Sequence, residues 1–327
     1  MNDCPIVSII TPSFNQGRFL EDTIKSVLSQ QGDFHLDYVI VDGGSTDNSL
    51  EVIKRYDVLI KEKRYSYKCR SIQYRWSSER DEGQSDAINK GFRMAKGKIL
   101  AWLNSDDCYE PDALSTVVKE FNEAKNHYIV FGDCNVIDEA GHRVGYCRGK
   151  IPNPNNYIKY WQKDYTIPQP AVFFHRDILR RVGYLDENFH YVMDYDFWLR
   201  IRKLYKFHYI NKPLAIMRVH NLAKSSLSYE LFEREWAAIL KKNWSDFSWG
   251  ERIECIMRAR NFRSNVIRIN AYLKMDKLSL TQFRKKIFSS IISNPFNLFK
   301  VKFMAALFRA IVGHRYSDQI KNLLNKK

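Results

Sequence analysis

Apolar residues along the first 130 positions alternate between two periodicities. Val7 to Thr11 is β-branched and apolar and is stopped by Pro12; beyond the NQG segment, Arg18–Gln30 places Leu20, Ile24, Val27 and Leu28 at helical spacing. The pattern then repeats. Tyr38–Val41 predicts a short strand, GGST a turn, and Asp47–Arg55 a helix with Leu50, Val52 and Ile53 inward. Ile72–Trp76 predicts a third strand, Gln84–Ala95 a helix, Ile99–Leu103 a wholly apolar strand and Asp112–Ala124 a further helix. Strands alternating with helices imply a mostly parallel sheet covered on both faces. In such sheets ligands sit beyond the carboxyl ends of the strands, so the residues after Thr11, Val41 and Leu103 are expected to converge on one crevice.

After the apolar run Tyr128–Phe131 the alternation weakens. Ala171–His175 and Leu214–Met217 predict further strands, and Asp177–Val182 and Tyr195–Leu204 helical pieces. From about Ser228 strand signals fade and the chain reads as helical, interrupted at Gly250, Pro295 and Gly313. The expected organisation is a catalytic domain over 1–227 and a basic helical region over 228–327.

Charge sharpens that division. The chain carries a net charge of +15, and residues 228–327 hold 20 Lys+Arg against 8 Asp+Glu, which leaves 32 against 29 for the rest. A field of that sign favours anionic lipid, nucleic acid or a phosphorylated acceptor, beside the plain reading of a solvated basic surface. Within this region Leu298 to Val312 is apolar-rich but contains three cations and is too short to span a bilayer, which takes about 20 apolar residues. Helices lying on a membrane and helices packing on protein both fit. The six cysteines, scattered without a CxxC pair, suggest neither a disulfide framework nor a zinc site, and a reducing compartment is expected. The opening MNDCPIVSIITPSF has no basic segment before its short apolar run and reads as a first strand rather than a secretory signal.

Five segments carry candidate chemistry. VIVDGGSTDNS delivers Asp42 to the end of a buried strand before two glycines, which suits recognition of a base or sugar edge; a turn with Ser45 or Thr46 capping the next helix is the plain alternative. AWLNSDDCYEP delivers Asn104, Ser105, Asp106 and Asp107 to a strand end. Adjacent carboxylates repel unless a cation neutralises them, and hard oxygen ligands suit Mg2+ or Mn2+; the alternative is helix capping by Asp107. In SSERDEGQSDAINKGFRMAKG, Glu79, Asp81 and Gly83 precede a helix presenting Asp86, Asn89 and Lys90. In HYVMDYDFWLRI, Asp194 or Asp196 on a first helical turn suits a general base, or a helix cap. In MRVHNLAKSS, His220 suits a metal shell and the flanking Arg218 and Lys224 suit phosphate oxygens, while a structural histidine is the alternative.

Taken in series, VSIITPSFNQGRFLEDTIKSVLSQ, VDGGSTDNS, the Asp81 to Gly91 segment, LNSDD, PQPAVFF and VGYLDENFHYVMDYDFWLRI resemble the inverting family 2 glycosyltransferases over about Val7 to Ser226. The resemblance implies the GT-A nucleotide-diphospho-sugar transferase fold, with 228–327 as a C-terminal helical extension outside it. It implies that Pro12 and Asn15 line the nucleotide pocket, that Asp42 hydrogen-bonds the donor base and that Asp81 lies near base and ribose. Asp106 would bind Mg2+ or Mn2+ on the diphosphate and His220 would approach that ion. Asn104 stands where the family's DxD motif often has its first Asp, and Ser105 lies between. Asp194 would be the catalytic base, with Met193 in place of the Glu that usually precedes it. A UDP- or dTDP-sugar donor and a glycan or lipid-linked acceptor follow. So does cytoplasmic placement, with peripheral contact at the inner face of an anionic membrane and a role in bacterial surface polysaccharide; nucleic acid is not expected as a partner.

Two rival readings run beside it. A nucleotidyltransferase would also use acidic residues and Mg2+, but TPSFNQG is a poor phosphate loop for one. The other is a basic membrane- or nucleic-acid-binding protein with an inactive transferase fold.

Overall fold

A computed structural model describes residues 4–123, 127–150, 167–220, 229–273 and 278–295, together with 304, 306, 307 and 310. The chain divides into two compact units, Met1–Leu227 and Ser228–Lys327.

In the first unit the predicted alternation is present as β1 (Ile6–Ser13), α1 (Gly17–Leu28), β2 (His35–Asp42), α2 (Ser49–Lys61), β3 (Ser71–Ser78), α3 (Gln84–Met94) and β4 (Ile99–Trp102). There follow β5 (Cys108–Tyr109), α4 (Ala113–Glu123), β6 (Ile129–Ile137), β7 (Arg143–Cys147), β8 (Val172–His175), α5 (Asp177–Val182), α6 (Met193–Arg202) and β9 (Phe207–Arg218). Nine strands form one sheet in the order β3-β2-β1-β4-β8-β6-β9-β5, with β7 paired to β6. The pairs β3-β2, β2-β1, β1-β4 and β6-β9 are parallel, and β8 enters antiparallel between β4 and β6. This mostly parallel sheet between helices is the GT-A-like fold.

Both faces are filled, as a sheet with helices on two sides requires. On one face Val7 and Ile9 of β1 meet Leu20, Ile24, Val27 and Leu28, all four predicted inward residues of α1. In α2 the inward set is Val52, Ile53 and Tyr56, while Leu50 is only half-buried. On the other face Phe92 of α3, Trp102, Phe174 and Phe197 form an edge-on aromatic cluster, and Trp102 stacks on Trp198 at 5.3 Å. Each fully buried apolar side chain of this size contributes about 1.5–3 kcal/mol. Gly91 is where α3 meets β1, since a Cβ there would lie 2.3 Å from Ile10.

Several element boundaries differ from expectation, and two of them have a visible local reason. β1 continues past Thr11 through Pro12 to Ser13, paired with Val41 and Asp42. Backbone groups alternate sides along a strand; Ile10 O receives Leu103 N–H and Ser13 O receives Gly43 N–H, so the nitrogen of Pro12 faces beyond the end of β4 and no ladder bond is lost. β9 is far longer than Leu214–Met217, because Pro213 sits opposite an irregularity around Gly132 that interrupts its pattern. β5 and β7, two short edge strands, had no distinct apolar signature. The predicted end of α4 at Ala124 lies outside the described residues.

The second unit contains α7 (Tyr229–Lys242), α8 (Trp249–Leu273) and α9 (Leu280–Ser293). α9 opens with a capping box, in which Ser279 Oγ accepts from Gln282 N–H and Gln282 Oε1 from Ser279 N–H. Phe283 and Ile287 pack with Ala271, Ala306 and Ala310. Ser264 and Ser290 join α8 to α9, the Ser290 hydroxyl donating to the Ser264 carbonyl at 2.7 Å. Among the described residues no helix is long and apolar enough to cross a membrane. Much of the segment Leu298 to Val312 lies outside the described residues. All six cysteines are free.

Candidate active site

The register brings Ser13, Asp42 and Ser78 side by side at the carboxyl ends of β1, β2 and β3. Asp42 is fully buried and gathers its own loop: Oδ2 accepts from Gly44 N–H at 3.2 Å, Ser45 N–H at 2.9 Å and the Ser78 hydroxyl at 2.7 Å, and Oδ1 accepts from the Ser45 hydroxyl. The loop after β1 is tied to the same turn. Asn15, with φ of 53°, donates its N–H to Ser45 Oγ at 2.8 Å and accepts from Thr46 N–H at 2.8 Å. Gly17 N–H, at the start of α1, donates to Asp47 Oδ2 at 2.9 Å. Ser45 and Thr46 therefore fasten loops together, and neither caps α2. Pro12 is buried at the base of this wall.

Asp81 reaches the wall from the other side. A Cβ on Gly43 would lie 2.4 Å from Asp81 Oδ2, so the glycine makes room for the carboxylate. Partial burial holds the Asp81 pKa above its usual value, with the neighbouring carboxylates adding to the rise and the Gly83 N–H opposing it.

Beyond β4 the LNSDD segment is wired across the fold. Asn104 donates to Gln169 Oε1 at 3.1 Å and to Asp107 Oδ2 at 3.2 Å, and accepts from Gln84 Nε2 at 2.8 Å. Ser105 is buried. Asp107 is buried too, and its Oδ1 accepts from Arg218 N–H at 3.0 Å, so it does not cap α4. Desolvation, then the adjacent Asp106, push the Asp107 carboxyl well above its ordinary pKa. Asp106 keeps 19% of its side chain exposed and sets Oδ2 at 2.9 Å from Nε2 of His220, whose ring packs on Phe19. Arg218 was expected to hold phosphate. Its side chain is instead only 6% exposed, packs over the Phe19 ring and donates to Asp22 Oδ2 at 3.0 Å, which makes it a brace for the crevice. Lys224 lies outside the described residues.

The part of the sheet domain that carries α5 and α6 is joined to this site through α3. Gln84 holds Asn104, and the next residue, Ser85, puts its hydroxyl 2.8 Å from the Phe189 carbonyl and 2.9 Å from Met193 Sδ. Asn89 binds the Leu185 backbone through both ends of its amide, at 3.0 Å each, and donates to Glu187 at 2.7 Å. These bonds fix the loop that leads into α6. There the two aspartates separate. Asp196 has no exposed surface and is paired at 2.8 Å with Arg200, whose guanidinium also donates to the carbonyls of Val182 and Tyr184. Asp194, one position after Met193, is half-buried, and its Oδ1 accepts from Tyr195 N–H at 2.8 Å. Val192, at the N-cap position, supplies no side-chain cap, and Asp194 takes up one of the free first-turn N–H groups, that of Tyr195.

The sequence profile described as Glycosyl transferase family 2 matches residues 8–183, more than half of the 327-residue chain. The chain belongs to this family. As a family 2 glycosyltransferase it is similar to an uncharacterized glycosyltransferase of Rickettsia prowazekii, with 26% identity over 88% of this chain and 89% of the relative. It is also similar to a hyaluronan synthase of Pasteurella multocida, with 29% identity over 65% of this chain and 20% of that enzyme. Among solved structures, S. aureus TarS 1–349 in complex with UDP-GlcNAc superposes with a TM-score of 0.54 at 15% identity, over 95% of this chain and 91% of that one. The mannosyltransferase PcManGT of Pyrobaculum calidifontis, in complex with GDP-Man and Mn2+, gives a TM-score of 0.54 at 14% identity over 100% and 89%. These two share the fold of this glycosyltransferase.

The residues that sequence reasoning passed over are Gln84, Gln169 and Asp22. Their signal was faint: Gln84 and Gln169 stand inside quoted motifs, yet only the fold turns their amides toward Asn104. The donor set of Asp106 and His220, a carboxylate beside a nearly buried imidazole at the rim of the crevice, fits a divalent cation that takes its remaining ligands from phosphate oxygens and water.

Proposed function

We propose that this glycosyltransferase moves a sugar, with inversion, from a UDP- or dTDP-sugar to a hydroxyl of a glycan or lipid-linked acceptor in bacterial surface polysaccharide assembly. The observation that carries this reading is the Asp106–His220 pair, 2.9 Å apart, at the carboxyl-end crevice to which α3 ties the Asp194 helix. The UDP-GlcNAc complex of TarS and the similarity to a hyaluronan synthase support the choice of donor and acceptor class.

Pro12, Asn15 and the loop organised by Asp42 form the nucleoside side, with Asp81 facing base and ribose. Asn104 and Ser105 hold the strand end that carries Asp106. A Mg2+ or Mn2+ ion held by Asp106 and His220 would neutralise the diphosphate as it leaves. Asp194, oriented by the Tyr195 N–H on Oδ1, takes the proton of the acceptor hydroxyl while that oxygen attacks the anomeric carbon. The attack comes from the face opposite the departing diphosphate, so the configuration inverts. Residues 1–227 carry this chemistry. The basic excess of 228–327 holds the enzyme on the inner face of an anionic membrane, where exposed Trp249, Met257 and Ile292 add apolar contact.

Calorimetric titration with a panel of nucleoside diphosphates, with and without Mn2+, tests the donor site. One nucleotide is expected to bind in a metal-dependent way to the wild type and not to Asp106→Ala. Absence of binding by every nucleotide, or binding that ignores both Mn2+ and Asp106→Ala, would overturn the assignment.

A further inference from the structure

At the opposite end of the sheet from the donor crevice, α4, β6 and β9 bring together three groups that the proposed transfer does not use. Glu120 lies on α4, His127 two residues ahead of β6, and His208 near the start of β9, where it pairs with Val130. β6 and β9 run parallel to each other and, through the antiparallel β8, in the same sense as β4. Their amino ends therefore lie on the edge away from Asn104–Asp107. The cluster cannot share an ion with Asp106.

The geometry is that of a ligand set. One carboxylate oxygen and two imidazole nitrogens from these residues all lie within 4.8 Å of one another, and the three side chains are half-buried. His208 Nε2 stands 3.3 Å from Glu120 Oε2. Metal–ligand bonds of about 2.0–2.1 Å in a tetrahedron give ligand–ligand edges of roughly 3.3–3.4 Å, so this pair already has the right separation. His127 stacks on His208 with ring centroids 3.8 Å apart and an interplanar angle of 25°. Its Nδ1 is buried and has no hydrogen-bond partner. A buried polar nitrogen left in that condition costs free energy that a ligand would recover.

We propose that Glu120, His127 and His208 form a second metal site, distinct from the donor site, that takes a zinc-class divalent ion with water in the fourth position. Two imidazoles and one carboxylate select Zn2+ and its transition-metal neighbours over Mg2+, which prefers oxygen ligands and retains its waters. The ion would tie the last turns of α4 to the amino ends of β6 and β9. β9 ends at Arg218, two residues before His220, so the tie would anchor the strand that carries one side of the donor crevice. An ion lies in the plane of each imidazole that binds it, so loading requires the two rings to turn out of their stacked arrangement.

The test uses the full-length protein stripped by a chelator, with Zn2+ titrated against a chromophoric competitor and Co2+ followed by its visible absorption. The wild type and Asp106→Ala are each expected to bind one equivalent of Zn2+ at this site, and Co2+ to give the intense bands of four-coordination. His127→Gln with His208→Gln should weaken that equivalent by about 100-fold or more, since even outer-shell changes cost up to about 100-fold. Glu120→Gln, which leaves both rings in place, should weaken it less. Zn2+ binding that is unchanged in the double variant would overturn the proposal, and so would a wild type whose only Zn2+ equivalent disappears in Asp106→Ala.

Discussion

The two units solve the problem of polar groups in opposite ways. In 1–227 charged and amide side chains are taken inside and wired: Asp42, Asp107, Asp196 and Asn89 are all nearly or fully buried, and each has named partners. In 228–327 the polar groups taken inside are neutral, Asn243, Ser264 and Ser290, and among the described residues no charged side chain is fully buried, while large apolar side chains are exposed, Trp249 at 75% and Ile292 at 74%. A buried polar network costs desolvation at every member and is retained where it fixes geometry to within a fraction of an ångström, as a transfer site demands. An exposed mixture of cations and apolar groups fixes little and suits a surface contact. The difference teaches where a conservative substitution will be costly.

The sharpest way to break this contrast is the pair of aspartates on α6. Asp194→Asn is expected to lower kcat by about 10²–10⁴ with nucleotide affinity unchanged, as loss of a general base does; normal turnover would reassign the base. Asp196→Asn should act on stability instead. It leaves the Arg200 guanidinium, 20% exposed, without its carboxylate, at a cost of about 3 kcal/mol in urea unfolding. If the two variants gave the same phenotype, the division of roles within one helical turn would be lost.

Asp107 gives a smaller, pH-dependent effect. Its folded pKa is raised above 3.8, so the folded state holds that proton more tightly than the unfolded chain. Its contribution to stability therefore falls as pH rises past about 4, by about 1.4 kcal/mol for each pH unit until the folded pKa is reached. Denaturant midpoints measured from pH 4 upward should show this slope in the wild type and a weaker one when Mn2+ is present. The smallest effect is expected in the second unit, where Trp249→Ala should change stability by no more than about 0.5 kcal/mol. The same variant should reduce flotation with anionic vesicles; unchanged flotation would leave the basic surface without its apolar contact.

Legibility followed the same line. The strand–helix alternation through Leu103 was readable because local period and tertiary burial agree there, as in α1, whose four predicted inward residues are all buried. The candidate site residues were readable as a list of positions, several of them at strand ends. Their partners were not. Arg218 looked like a phosphate ligand from its neighbours in sequence, yet it is bound to Asp22, 196 residues earlier, which no local pattern records. β9 was hidden by Pro213, and the capping box of α9 in SLTQ, a local pattern, was passed over.

What the sequence by itself determined was therefore most of the elements, the end of the sheet at which the candidate site residues gather and the family to which the chain belongs, because periodicity and turn chemistry act over a few residues. Only the tertiary structure decided which of Asp194 and Asp196 is fully buried, that Arg218 is a brace, and that Glu120, His127 and His208 meet. Arg218 and Asp22 are 196 residues apart and Glu120 and His208 are 88 apart, and a contact at that distance follows from packing rather than from any pattern along the chain.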